Sequence, residues 1–118
     1  MPKRVQLKRT DGWRIPPNTV IVSRQNRKPG TGYGNPYNWK TDYEFYPDDL
    51  KKRVAKLDFS CWMKLLDGFV KDFPEQRRWI IDHLPELAKA DYIACWCKLD
   101  EPCHGDVLIE LIKEMEIE

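Results

Sequence analysis

Near the end of the chain, Cys95-Trp96-Cys97 and Cys103-His104-Gly105-Asp106 bring three cysteines and a histidine into one short stretch. These side chains supply thiolate nucleophiles, proton carriers and soft metal ligands. A cysteine at a helix start beside a histidine would have its thiolate stabilised by the helix dipole, which makes Cys103 a candidate nucleophile. His104 or Asp106 would then handle the proton, so the catalytic candidates are Cys103, His104 and Asp106. Asp106 has two further readings, as a counter-charge to the dipole or as a grip on a ribose hydroxyl. Cys95, Cys97, Cys103 and His104 also form a rival zinc set. Against zinc, strand alternation would point Cys95 and Cys97 to opposite faces, and Cys103 and His104 are adjacent. The paired Cys-x-x-Cys spacing is absent as well. The expectation is no bound metal and no cofactor. The plainer reading makes Cys95 and Cys97 small core residues and Cys61 a packing residue on a helix.

The elements that must position these residues follow from periodicity. Residues 92–96 form a short apolar run with strand propensity, and Asp100-Glu101-Pro102 is a turn. From Cys103 onward, Val107, Leu108, Leu111, Ile112 and Met115 recur at helical spacing. Thr19-Val20-Ile21-Val22-Ser23 is β-branched and apolar on both faces, as in a buried parallel strand, and Arg4-Val5-Gln6-Leu7-Lys8-Arg9 alternates like a strand. Pro47-Asp48-Asp49 starts a helix, with the proline in its first turn and Leu50, Val54 and Leu57 on one face. A second helix is expected to carry Phe59, Trp62, Met63, Leu66, Phe69, Val70 and Phe73. Pro74-Glu75 opens another, which Pro85 interrupts. Trp62, Trp79 and Trp96 are expected in the core. The fold class is therefore α/β: one domain over residues 1–118, with a small, mostly parallel, Rossmann-like sheet of three to four strands flanked by helices.

In such a sheet, ligands sit beyond the carboxyl ends of the strands. The loop over residues 24–36 leaves one strand and the Cys97 turn leaves another, so both would face one crevice. The loop is rich in glycine and basic residues, and arginine binds phosphate through paired donors. Gln6, Arg9, Arg24, Arg27, Asn35, Cys97 and Gly105 are the ligand-binding candidates. For any one of the basic residues a solvated loop is the plainer reading, and Asn35-Pro36 more often fixes a turn. Trp13, Tyr33, Tyr37 and Trp39 are available to stack on a base or to form satellite core.

The 118 residues carry a formal net charge of +1, but the charge is uneven. Residues 1–40 hold nine basic side chains against Asp11 alone, a net of +8 that leaves −7 for the rest. That asymmetry implies internal pairing or a positive cleft. Nucleic acid is weakly supported as a partner, because the acidic part would repel phosphate and no recognised motif is present. No run approaches membrane-spanning length and no signal peptide is visible, so the expected location is cytoplasmic, with thiols reduced and no membrane partner. The oligomeric state stays open.

Three segments together resemble a known family. They are Val5-Gln6-Leu7-Lys8-Arg9-Thr10-Asp11-Gly12-Trp13-Arg14-Ile15-Pro16, Gly34-Asn35-Pro36, and Cys95-Trp96-Cys97 with Cys103-His104-Gly105-Asp106-Val107-Leu108. The resemblance is to the uncharacterised bacterial and phage family catalogued as domain of unknown function 4326, and it runs the length of the chain. Residues 27–33 depart from the shorter loop common in that family. The resemblance implies no activity. By analogy of architecture, small Rossmann-like domains bind nucleotides. The leading expectation is a domain that binds a phosphorylated, nucleotide-like small molecule, a nucleotide-derived signal included, with turnover left open. Two other classes stay open: a zinc-stabilised structural or interaction protein, and a nucleic-acid accessory protein.

Overall fold

The computed structural model describes residues 2–23 and 31–116. Among the described residues three parallel strands form one sheet: β1 (Lys3–Gln6), β2 (Thr19–Ile21) and β3 (Tyr92–Cys95), in the spatial order β1-β3-β2. The helices are α1 (Asp48–Lys64), α2 (Pro74–Leu87) and α3 (His104–Glu116), with one 3-10 turn at Asp67–Phe69. The class is the expected α/β.

β3 is central because its residues can be buried on both faces. Ile93, Ala94 and Cys95 are all buried. Arg4 aligns with Ile93 on one side and Val20 with Ile93 on the other. The ladder continues past the strands: the Leu7 N–H donates to the Cys95 carbonyl at 2.7 Å, and the Val22 N–H to the Ala94 carbonyl at 2.9 Å. β2 is shorter than its β-branched run suggests. Val22 is fully buried, but Val20 and Ile21 are only half-buried, since β2 is an edge strand covered on one side. All three carboxyl ends lie at one sheet edge because the strands are parallel.

α3 packs on β1 and β3 and against α1 and α2. Val107, Leu108 and Ile112 are buried there, while Leu111 is half-buried. Its first turn comes close to the sheet at Gly105. A Cβ at that position would lie 3.3 Å from Arg4 Cδ and 3.6 Å from Ile93 Cδ1. Phe59, Trp62 and Met63 of α1 and Ile80, Leu84 and Leu87 of α2 complete the core. Each such side chain contributes about 1.5–3 kcal/mol by leaving water.

The helical middle departs from expectation in four ways. One helix of 17 residues replaces the expected break, and it stops at Lys64 where Leu65 turns extended. Pro47 stands at its N-cap rather than inside the first turn. The second apolar stripe forms only in its first part: Phe59, Trp62 and Met63 are buried, but Leu66, Phe69 and Phe73 are 72%, 66% and 51% exposed, as is Leu57 of the first face at 62%. Pro85 does not interrupt α2, which continues to Leu87. Leu84 and Leu87 are buried on one face and hold the last turn, and proline there deletes a single helical bond.

Arg77 supplies the physical reason for the α1 stop. It is buried, and its guanidinium donates to the carbonyls of Trp62 at 2.9 Å and Met63 at 3.2 Å, and also to Leu65. These are the carbonyls a continuing helix would have used. Two further expectations fail at single residues. Trp96 is 48% exposed rather than in the core, and Cys61 is exposed rather than packed. Among the described residues, no helix is long and apolar enough to cross a membrane.

Candidate functional site

β3 ends at Cys95, so Cys97 already lies in the following turn and strand alternation does not govern it. The argument that separated the two sulfurs therefore fails. The Sγ atoms of Cys95, Cys97 and Cys103 lie within 4.8 Å of one another. Cys95 and Cys103 stand 3.0 Å apart, and both are buried. His104, the first residue of α3, places Nε2 2.7 Å from the Val22 carbonyl oxygen. A carbonyl only accepts, so Nε2 carries the proton and Nδ1 keeps its lone pair. Nδ1 lies 3.9 Å from Cys103 Sγ. The His104 ring also meets Phe59 edge-on, at 5.4 Å between centroids.

The three thiols shift one another's pKa in opposite directions. Hydrogen bonds from Cys95 and then Cys97 pull the Cys103 thiol down, with burial opposing. Donation to Cys103 conversely pushes Cys97 up, helped by Cys95 and burial. Cys95 is raised mainly by the same bond to Cys103. Cys103 is thus the thiol of the three whose pKa is held down, and Cys95 and Cys97 are those pushed up.

Arg4 on β1 completes this centre. Its Nη2 donates to the carbonyls of Lys98 at 3.2 Å, Leu99 at 2.6 Å and Glu101 at 3.3 Å. Its Nη1 lies 3.9 Å from Cys95 Sγ, and its Nε is 3.2 Å from Asp106 Oδ1. Burial alone would lower the Arg4 pKa, but the Cys103 and Asp106 charges outweigh it and leave the group raised. Lys56 Nζ takes the other Asp106 oxygen at 3.1 Å. Asp106 is thereby held between two cations, which favours its structural reading over a general base. Lys52, one turn before Lys56, pairs with Glu101 and holds that carboxyl below its usual range. Arg4, Lys52 and Lys56 were missed in the sequence reading. The one available signal was the i, i+4 spacing of the two lysines.

A cavity of about 450 Å³ opens beyond the ends of β2 and β3. Ser23, Cys95, Trp96, Cys97 and His104 line it on the sheet side. Asn35, Tyr37, Asn38, Trp39, Lys40 and Lys52 line the other. Lys52 Nζ lies 4.8 Å and Lys40 Nζ 5.5 Å from the Trp39 ring centroid.

The cavity gathers some expected residues and leaves others out. Cys97, His104 and Asn35 line it. Asn35 is itself fixed in a turn: Oδ1 accepts the Tyr37 N–H at 2.9 Å, and Nδ2 donates to the Ala55 carbonyl at 3.1 Å. Arg9 reaches it only through Trp96, with its guanidinium 4.9 Å from the ring centroid. Gln6 pairs in the sheet opposite Cys95, and Gly105 faces Arg4 and Ile93. Cys103 and Asp106 are beside the cavity but not in its lining. Gly32 and Gly34 present their carbonyls to Gln76 Nε2, at 3.5 and 2.6 Å, rather than to a ligand. Tyr33 packs edge-on against Trp79 at 4.9 Å. Arg24 and Arg27 lie outside the described residues.

A family model described as "Domain of unknown function (DUF4326)" matches residues 5–114. No curated protein and no solved structure matches the chain.

Proposed function

We propose that this chain, which belongs to that family of unknown function, binds a phosphorylated, nucleotide-like small molecule in the cavity at the carboxyl edge of its sheet. One observation carries the reading: aromatic faces and ammonium groups share the same cavity wall. Tyr37, Trp39 and Trp96 line the cavity together with Lys40 and Lys52, and both ammonium groups lie near the Trp39 ring. A base stacked on an aromatic side chain gains about 1–3 kcal/mol, whatever its identity. Lysine ammonium groups bind phosphate as point charges. The α3 N-terminus at His104 adds the positive end of a dipole on the sheet side. The volume, about 450 Å³, sits within the usual range for small-molecule sites, roughly 300–1,000 Å³.

Binding is favoured over turnover. Cys103, the candidate nucleophile, is buried and stands outside the cavity lining. A nucleophile has to be accessible to its substrate. A cytoplasmic location, where the four free thiols stay reduced, belongs to the same reading.

Calorimetric titration of the full chain with adenine and guanine mono-, di- and triphosphates, with adenosine and pyrophosphate as separate arms, tests the proposal. A nucleotide should bind more tightly than either arm. Trp39→Ala should weaken it about tenfold or more by loss of stacking. Lys40→Ala should weaken phosphate-bearing ligands and leave adenosine unchanged. No binding across the panel, or equal binding by wild type and both variants, would overturn the reading.

A further inference from the structure

We propose that Cys95, Cys97, Cys103 and His104 form a site for a zinc-type metal ion, with three thiolate sulfurs and His104 Nδ1 as ligands. A tetrahedral zinc, with Zn–S near 2.3 Å and Zn–N near 2.0 Å, sets its sulfurs about 3.8 Å apart and sulfur and nitrogen about 3.5 Å apart. The three Sγ atoms already lie within 4.8 Å of one another, and Cys103 Sγ is 3.9 Å from His104 Nδ1. The Cys95–Cys103 separation of 3.0 Å would open by less than about 1 Å to admit the ion.

The surroundings favour the same reading. Metal-bound histidines characteristically donate their second ring N–H to a carbonyl or carboxylate, which fixes ring and tautomer. His104 does this through Nε2 to the Val22 carbonyl, at 2.7 Å. The free lone pair is then on Nδ1, the nitrogen nearer Cys103. Three thiolates around a divalent ion carry a single negative charge. Arg4 answers it, with Nη1 3.9 Å from Cys95 Sγ and a side chain that is 7% exposed. Soft sulfur ligands select zinc over magnesium or calcium. Such an ion would clip the end of β3 to the start of α3. It would sit in the sheet-side wall of the cavity, which Cys95, Cys97 and His104 line, and the cobalt titration reads it whether or not the cavity binds a nucleotide.

The test is cobalt(II) titration of the reduced full chain under anaerobic conditions, followed by zinc competition and elemental analysis. One cobalt per chain should bind, with thiolate charge-transfer absorption and the d–d bands of a tetrahedral ion, and zinc should displace it. Cys97→Ser should lose the charge-transfer intensity of one thiolate, and His104→Ala should shift the d–d bands. Cys61→Ser should bind like wild type, because Cys61 is exposed on α1, away from the cluster. The wild-type spectrum decides the matter even where a variant fails to fold. Absence of a tetrahedral thiolate spectrum in the reduced wild type would overturn the proposal. So would a spectrum that survives both Cys97→Ser and Cys103→Ser, or one that Cys61→Ser abolishes.

Discussion

Arg4 does more for this site than any residue singled out by its reactivity. One guanidinium ties three carbonyls of the turn after β3, reaches toward the Cys95 sulfur and pairs with Asp106. Charge-assisted bonds of this kind contribute about 1.5–3 kcal/mol each when shielded, and less where water can substitute. Arg4→Met keeps the aliphatic stem that lies against Gly105 but removes every donor. We expect a loss of about 2–4 kcal/mol in urea unfolding, because the turn carbonyls and one Asp106 oxygen lose their partner together. Arg9→Met should change stability by less than about 1 kcal/mol, since its contact with Trp96 is an exposed cation–π pair.

The elements owe their limits to partners elsewhere in the chain. α1 stops at Lys64 although apolar residues continue, because Arg77 from α2 takes its last carbonyls and the Trp62 indole N–H donates to the Asp72 carbonyl at 2.7 Å. Arg77→Leu should therefore cost about 2–4 kcal/mol in thermal or denaturant unfolding, with the α1 end losing helicity in circular dichroism. Lys71→Ala, on an exposed position in the same connection, should stay within about 0.5 kcal/mol. At the start of α3, Gly105 holds the helix against β1 and β3. That contact brings Cys103 and His104 to the sheet edge where Cys95 and Cys97 emerge.

At the scale of the whole molecule, stability concentrates around β3. It is the strand paired on both sides, and its inward residues meet α3. Native-state hydrogen exchange should accordingly find the slowest amides in Ile93, Ala94 and Cys95, opening only with global unfolding. The amides of residues 35–40 should exchange faster by local opening, since these residues lie in no helix or strand. Slowest exchange in α1 or α2, with β3 opening early, would contradict this picture.

What the sequence by itself determined is what local chemistry dictates. The apolar runs around Val22 and Ile93 made strands, and helical spacing after Cys103 made α3. Parallel strands then required their exits to share one edge, which was enough to bring Cys97, His104 and Asn35 to a common cavity. Tertiary structure decided the rest, because it depended on groups distant in the chain. The end of β3 at Cys95 freed Cys97 from strand alternation and gathered three sulfurs that the spacing had seemed to separate. Arg4 is 102 positions from Asp106, and no periodicity pairs residues so far apart. Trp96 left the core for the cavity rim because the strand it was expected to occupy had already ended, and Trp39 joined the site through Lys52, whose position the packing of α1 sets. Local propensity is set within a few residues, whereas a site of this kind is set by which side chains meet when the elements pack.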